Sequence, residues 1–146
     1  MSGGLSIRNC AAAYCATTYR LRLTEGVFDL RIGLPCAAFQ AWLRARESDK
    51  FAIITAYNPA SFLLSASENA ERQARLRAAL LARGWLAGEG ENIADDAVWP
   101  VEPTCLVVGL SLQELYLLGR EYGQNALLVG RGDAVPQLLW LEENEL

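Results

Sequence analysis

The polar residues able to do chemistry in this sequence cluster where its elements must begin or end. Thr55, Tyr57 and Asn58 close the apolar run Phe51–Tyr57 immediately before Pro59. Asn69 and Arg72 follow within the first turns of the next helical stretch. A polar group at the end of a central strand, followed by a loop and a helix, is where open sheets collect ligands. The helix N-terminus brings unpaired N–H groups and a positive dipole end, so Arg72 beside it suits an anion. Gln124, between a helix stop and another apolar run, completes the expected ligand-binding set of Thr55, Tyr57, Asn58, Asn69, Arg72 and Gln124. The same residues also have a structural reading, with Asn58 in an Asx turn, Asn69 on local backbone and Arg72 paired with Glu68.

Glu102 lies between Pro100 and Pro103, just before a second apolar run. It is the one acid nominated as a general base, and that work requires burial to raise its pKa. The alternative is a solvated glutamate in a proline-stiffened turn. No other catalytic residue is expected. The chain contains no histidine, which removes Ser-His-Asp and Cys-His systems, histidine proton shuttles and histidine-ligated haem or zinc. Cys105 has no histidine to activate it and sits in an apolar run that raises its pKa. The four cysteines read as small apolar core residues. Cys10 and Cys15 lack the spacing of a metal pair, so neither a metal site nor a cofactor is expected.

The 146 residues carry 13 Lys plus Arg against 17 Asp plus Glu, a net charge of −4. This balance argues against nucleic acid as the partner. A weaker nucleic-acid reading rests on Arg20, Arg22 and Arg31 in the mildly basic first third. The N-terminus lacks the apolar run of a secretory signal, and no stretch approaches the roughly 20 apolar residues of a membrane span. A cytoplasmic protein with reduced thiols and no membrane association is therefore expected.

The elements that must position these residues follow from periodicity. Ala11–Tyr19 reads as helical, Arg20–Leu23 and Val27–Ile32 as a hairpin turning at Glu25-Gly26. Phe39, Trp42, Leu43 and Arg46 define a helix that ends near Ser48, with Pro35 in its first turn. Phe51–Tyr57 is a central strand, and Pro59 confines Asn58 to extended geometry. Ser65 and Glu68 form a capping box opening a helix near Ala66, with Asn69, Gln73, Leu76 and Leu80 on one face and Gly84 as its stop. Residues 85–97 read as an acidic loop, and Val98–Val101 as a short edge strand. Thr104–Gly109 is a buried strand. Ser111 and Glu114 form a second capping box, whose helix buries Leu112, Leu115, Tyr116 and Gly119 and ends at Gly123. Asn125–Gly130 is another strand, turned by Arg131-Gly132-Asp133 toward Gln137–Leu141, and the acidic tail frays. The four tryptophans read as packing residues. The chain is expected to form a single domain over residues 1–146, of α+β class, with a mixed or mostly antiparallel sheet and helices packed on it.

Four segments, in this order, carry a family resemblance: Thr55-Ala56-Tyr57-Asn58-Pro59 with Glu68-Asn69, then Trp99–Thr104 with its Glu102-Pro103-Thr104, then Gly123-Gln124-Asn125-Ala126-Leu127. Over roughly residues 14–141 the chain resembles the bacterial domain-of-unknown-function 3293 family. The resemblance implies a small single-domain bacterial protein and supplies no activity. Its motif residues Thr55, Asn58, Asn69, Glu102 and Gln124 are those already singled out at element ends. The function expected is a small cytoplasmic domain binding a polar or anionic small molecule at this Thr/Asn/Arg/Glu/Gln cluster. The alternative is a non-catalytic interaction or regulatory domain, a homo-oligomer paired through a sheet edge such as residues 136–141.

Overall fold

Period-two patterning builds one sheet, whose two faces are buried by different helices. The computed structural model describes residues 12–59, 62–96 and 99–141. The strands are β1 (Thr17–Leu23), β2 (Gly26–Leu30), β3 (Lys50–Ile54), β4 (Leu86–Ala94), β5 (Glu102–Val108), β6 (Ala126–Arg131) and β7 (Gln137–Trp140). They form a seven-stranded sheet in the order β2-β1-β4-β5-β3-β6-β7. Every neighbouring pair is antiparallel. The helices are α1 (Ala37–Ala45), α2 (Ala66–Ala82) and α3 (Leu112–Glu121). Residues 12–15 add a helical stretch before β1. This is the α+β domain expected. Among the described residues, no helix is long and apolar enough to cross a membrane.

Both capping boxes form as expected, from Ser65 with Glu68 and from Ser111 with Glu114. Each satisfies N–H groups that would otherwise lack partners at a helix start. The helices they open lie on one face, where Leu76, Leu80, Leu115 and Leu118 pack with Ile54, Val107 and Leu127. On the opposite face, Phe39, Trp42 and Leu43 of α1 pack with Leu21, Leu30, Phe51 and Leu106. A nine-residue helix is only about 13.5 Å long. A seven-stranded sheet is about 29 Å wide. The short α1 therefore leaves part of this face to other covers, and the candidate site lies there.

Several expectations change. Residues 86–94 are not an acidic loop but strand β4, paired to β1 on one side and β5 on the other. Tertiary partners override the poor strand propensity of its glycines and acids. Glu91 is gripped by Arg22 and Glu89 by Arg77. Gly90 admits the close approach of β1, since a Cβ there would lie 1.9 Å from the Arg20 carbonyl oxygen. Of the expected strand 98–101, Val98 lies outside the described residues, and residues 99–101 are irregular. The next strand starts at Glu102 rather than Thr104.

The strand expected over Phe51–Tyr57 stops at Ile54, because side chains take over the backbone groups that follow. The Gln73 Oε1 accepts from the Ala56 N–H at 2.9 Å, and the Thr55 hydroxyl donates to the Pro103 carbonyl at 2.8 Å. Asn58 is not extended but left-handed, at φ 46°. Asparagine tolerates this region better than most residues, and three side-chain hydrogen bonds fix it there, as described below.

Leu112 is 39% exposed rather than buried, and Leu118 takes its place in the core. Cys105 is a buried core residue, Cys36 is half-buried and Cys15 is exposed, while Cys10 lies outside the described residues. The expected core role thus fails for Cys15. The basic hairpin is neutralised in place: Arg20 pairs with Asp29, Arg22 with Glu91 and Arg31 with Asp95.

Candidate functional site

At one end of the sheet, β1, β5 and β6 begin while β3, β4 and β7 end. Side chains alternate across a strand, and residues directly opposite in a ladder share a face. Tyr19 of β1 is opposite Asn92 of β4, and Asn92 is opposite Glu102 of β5. All three line a cavity of about 280 Å³, and Thr55, Tyr57, Asn58, Trp99, Gln124 and Asp96 line it with them. Ile53, Leu128 and Leu138 supply its apolar floor, and Ala13, Tyr14 and Ala16 close it from the segment before β1. The volume lies near the lower end of the range for small-molecule sites, roughly 300–1,000 Å³.

Asn58 is the hub that shapes the polar wall. Its backbone N–H donates to the Asn69 Oδ1 at 2.9 Å. Its Oδ1 accepts from the Asn69 Nδ2 at 2.8 Å and from the Leu64 N–H at 2.9 Å. With the oxygen so engaged, its Nδ2 points the other way and donates to the Glu102 Oε2 at 2.7 Å. The Trp99 indole Nε1–H donates to the same oxygen, also at 2.7 Å. Asn58 is 3% exposed, so each of these bonds replaces a desolvated group's lost water.

Glu102 is 9% exposed. Burial pushes its carboxyl above the ordinary range, against the opposing pull of the Asn58 and Trp99 hydrogen bonds. Both bonds fall on Oε2, leaving Oε1 without a described donor. Glu102 is thus a buried carboxylate, oriented through one oxygen, on a cavity wall, and not the solvated glutamate of the alternative reading. Tyr19 is not its proton partner. Its hydroxyl donates to the Tyr14 carbonyl at 3.0 Å, and burial pushes the phenol pKa far up.

Of the residues expected to bind a ligand, Thr55, Tyr57, Asn58 and Gln124 line this cavity and Asn69 and Arg72 do not. Asn69 stands behind Asn58 and fixes it. Arg72, instead of pairing with Glu68, donates to the backbone carbonyls of Ala56 and Tyr122. It thereby ties the chain after β3 to the end of α3. The N-terminus of α2 is filled by its own capping box. Thr55 spends its hydroxyl proton on Pro103, and the Gln124 Nε2 donates to the Tyr57 carbonyl at 3.1 Å. Asn92 was missed because its segment reads as a loop, and Trp99 because a lone tryptophan reads as packing. The Trp99-to-Glu102 spacing was the available signal for the second.

A family model described as Protein of unknown function (DUF3293) matches residues 54–127, from the end of β3 into β6. That span contains Asn58, Asn69, Asn92, Trp99, Glu102 and Gln124. No curated protein and no solved structure matches the chain.

Proposed function

Since the chain belongs to the DUF3293 family, whose description carries no activity, we propose from the cavity itself that the domain binds a small polar molecule at the Glu102 wall. The observation that carries this reading is Glu102: a buried carboxylate held by Asn58 and Trp99 through one oxygen, with the other facing no described donor. A carboxylate buried only to close a core would be expected to have both oxygens engaged. The mixed lining, with an apolar floor and a few convergent polar groups, is the composition of ligand sites. Among the described lining residues there is no arginine or lysine, so of the polar and anionic ligands expected from the sequence the lining supports the polar one. Three unpaired described thiols favour a reducing compartment, and we place the protein in the cytoplasm.

The test is thermal unfolding with adenine, cytidine, benzamidine, glutamine, glucose and glucose 6-phosphate. A ligand of the folded state raises the melting temperature with its concentration. At least one compound of the panel other than the phosphate should do so in the wild type and lose its effect in Glu102→Gln. Stabilisation by none of them, or equal stabilisation of the variant, contradicts the reading.

A further inference from the structure

Two side-chain polar atoms are enclosed without a partner among the described residues: the Asn92 Oδ1 and the Thr104 Oγ1. Both flank Glu102. Asn92 is directly opposite it in the β4–β5 ladder, and Thr104 is two residues further along the same strand and face. An enclosed polar atom without a partner lowers stability. Neither atom has surface open to the cavity, so the Glu102 Oε1, which has no described donor, is the carboxylate acceptor this wall offers a ligand.

The rest of the lining states what kind of donor fits. Asp96 adds a second carboxylate, and no described arginine or lysine lines the cavity. Tyr14, Tyr57 and Trp99 bring aromatic rings to its wall. Aromatic faces attract cations, and flat ones stack on them.

From this arrangement, which rests on the reading of the cavity as a ligand site, we infer that the site takes a planar cation that presents an N–H to Glu102, an amidinium or guanidinium. One N–H donates to the Glu102 Oε1, and the plane of the cation lies against the aromatic lining. The positive charge lies beside the buried carboxylate, the geometry in which charge-assisted hydrogen bonds are strongest.

Benzamidine, benzamide and benzoate test this directly, because they keep one ring and change the head group from cation to neutral amide to anion. Titration calorimetry on the wild-type protein should give benzamidine an affinity about tenfold or more above benzamide, with no binding of benzoate. Glu102→Gln should weaken benzamidine about tenfold while leaving the weaker benzamide less affected. Because the ranking of the three compounds is read on wild-type protein, it does not depend on a variant folding. Benzamide or benzoate binding as tightly as benzamidine overturns the inference. If adenine or glutamine stabilises the domain while benzamidine does not bind, the cavity is a ligand site and the cation inference fails. If no compound binds, both readings fail.

Discussion

Replacing Asn58 tests whether one side chain organises the polar wall. Asn58→Ala removes three buried side-chain hydrogen bonds, to Glu102 at 2.7 Å, from Asn69 at 2.8 Å and from the Leu64 N–H at 2.9 Å. The bond to the charged group is worth about 1.5–3 kcal/mol and each neutral one about 1 kcal/mol. Alanine at φ 46° adds about 1 kcal/mol of left-handed strain. The expected loss is about 4.5–6 kcal/mol, a large part of the roughly 5–15 kcal/mol that holds a domain folded. Asn58→Gly loses the same bonds without the strain and should be about 1 kcal/mol milder. Urea unfolding followed by tryptophan fluorescence measures both, with the free energy extrapolated to water. A loss below about 1 kcal/mol for Asn58→Ala, or a glycine variant less stable than the alanine one, would refute the hub.

Further outcomes follow from the same geometry. Burial holds the folded-state pKa of Glu102 above its ordinary value, so its contribution to stability is fully present below the ordinary carboxylate pKa and is lost as pH rises through the folded one. The stability of the wild type minus that of Glu102→Gln should therefore fall as pH rises above the ordinary carboxylate range, by about 1.4 kcal/mol for every tenfold by which folding weakens the acid. Asp29, Glu91 and Asp95, held below their ordinary values by arginine hydrogen bonds, act in the opposite direction but cancel in that difference. A flat or rising difference in urea unfolding across the series contradicts the buried placement. Arg72→Lys should cost about 1.5–3 kcal/mol, since an ammonium cannot hold the Ala56 and Tyr122 carbonyls with the reach and fork of a guanidinium; a neutral outcome in the same assay removes its tying role. Cys105, buried and with its thiol pushed up to about 12 by burial and the charge of Glu89, should resist alkylation in the folded protein while exposed Cys15 reacts, as mass-spectrometric mapping of iodoacetamide labels would show.

The parts of the fold legible in the sequence are those written in local spacing. The two capping boxes, the hairpin turn and the apolar faces of the helices are i to i+4 signals, and they fixed the order of helices and strands. Strand β4 was not legible, because Gly-Glu-Gly-Glu-Asn becomes a central strand only through the arginines of β1 and α2 that meet its acids. Losing β4 also hid Asn92, whose place opposite Glu102 exists only in the ladder. Element ends drew attention to Asn58, Glu102 and Gln124, which the structure brings to one cavity. Whether such a residue faces a cavity or supports one that does depends on side-chain direction, which is why Asn69 and Arg72 read alike with Asn58 in the sequence and part company in the structure.

The most direct test of the cavity as a ligand site is the indole N–H resonance of Trp99, because that proton is donated to the Glu102 oxygen that orients the wall. In ¹⁵N-labelled protein titrated with each compound of the thermal panel, at least one should shift the Trp99 signal saturably while the core indole of Trp42 stays in place. An unmoved Trp99 signal throughout the panel, or movement confined to the other tryptophans, would contradict it.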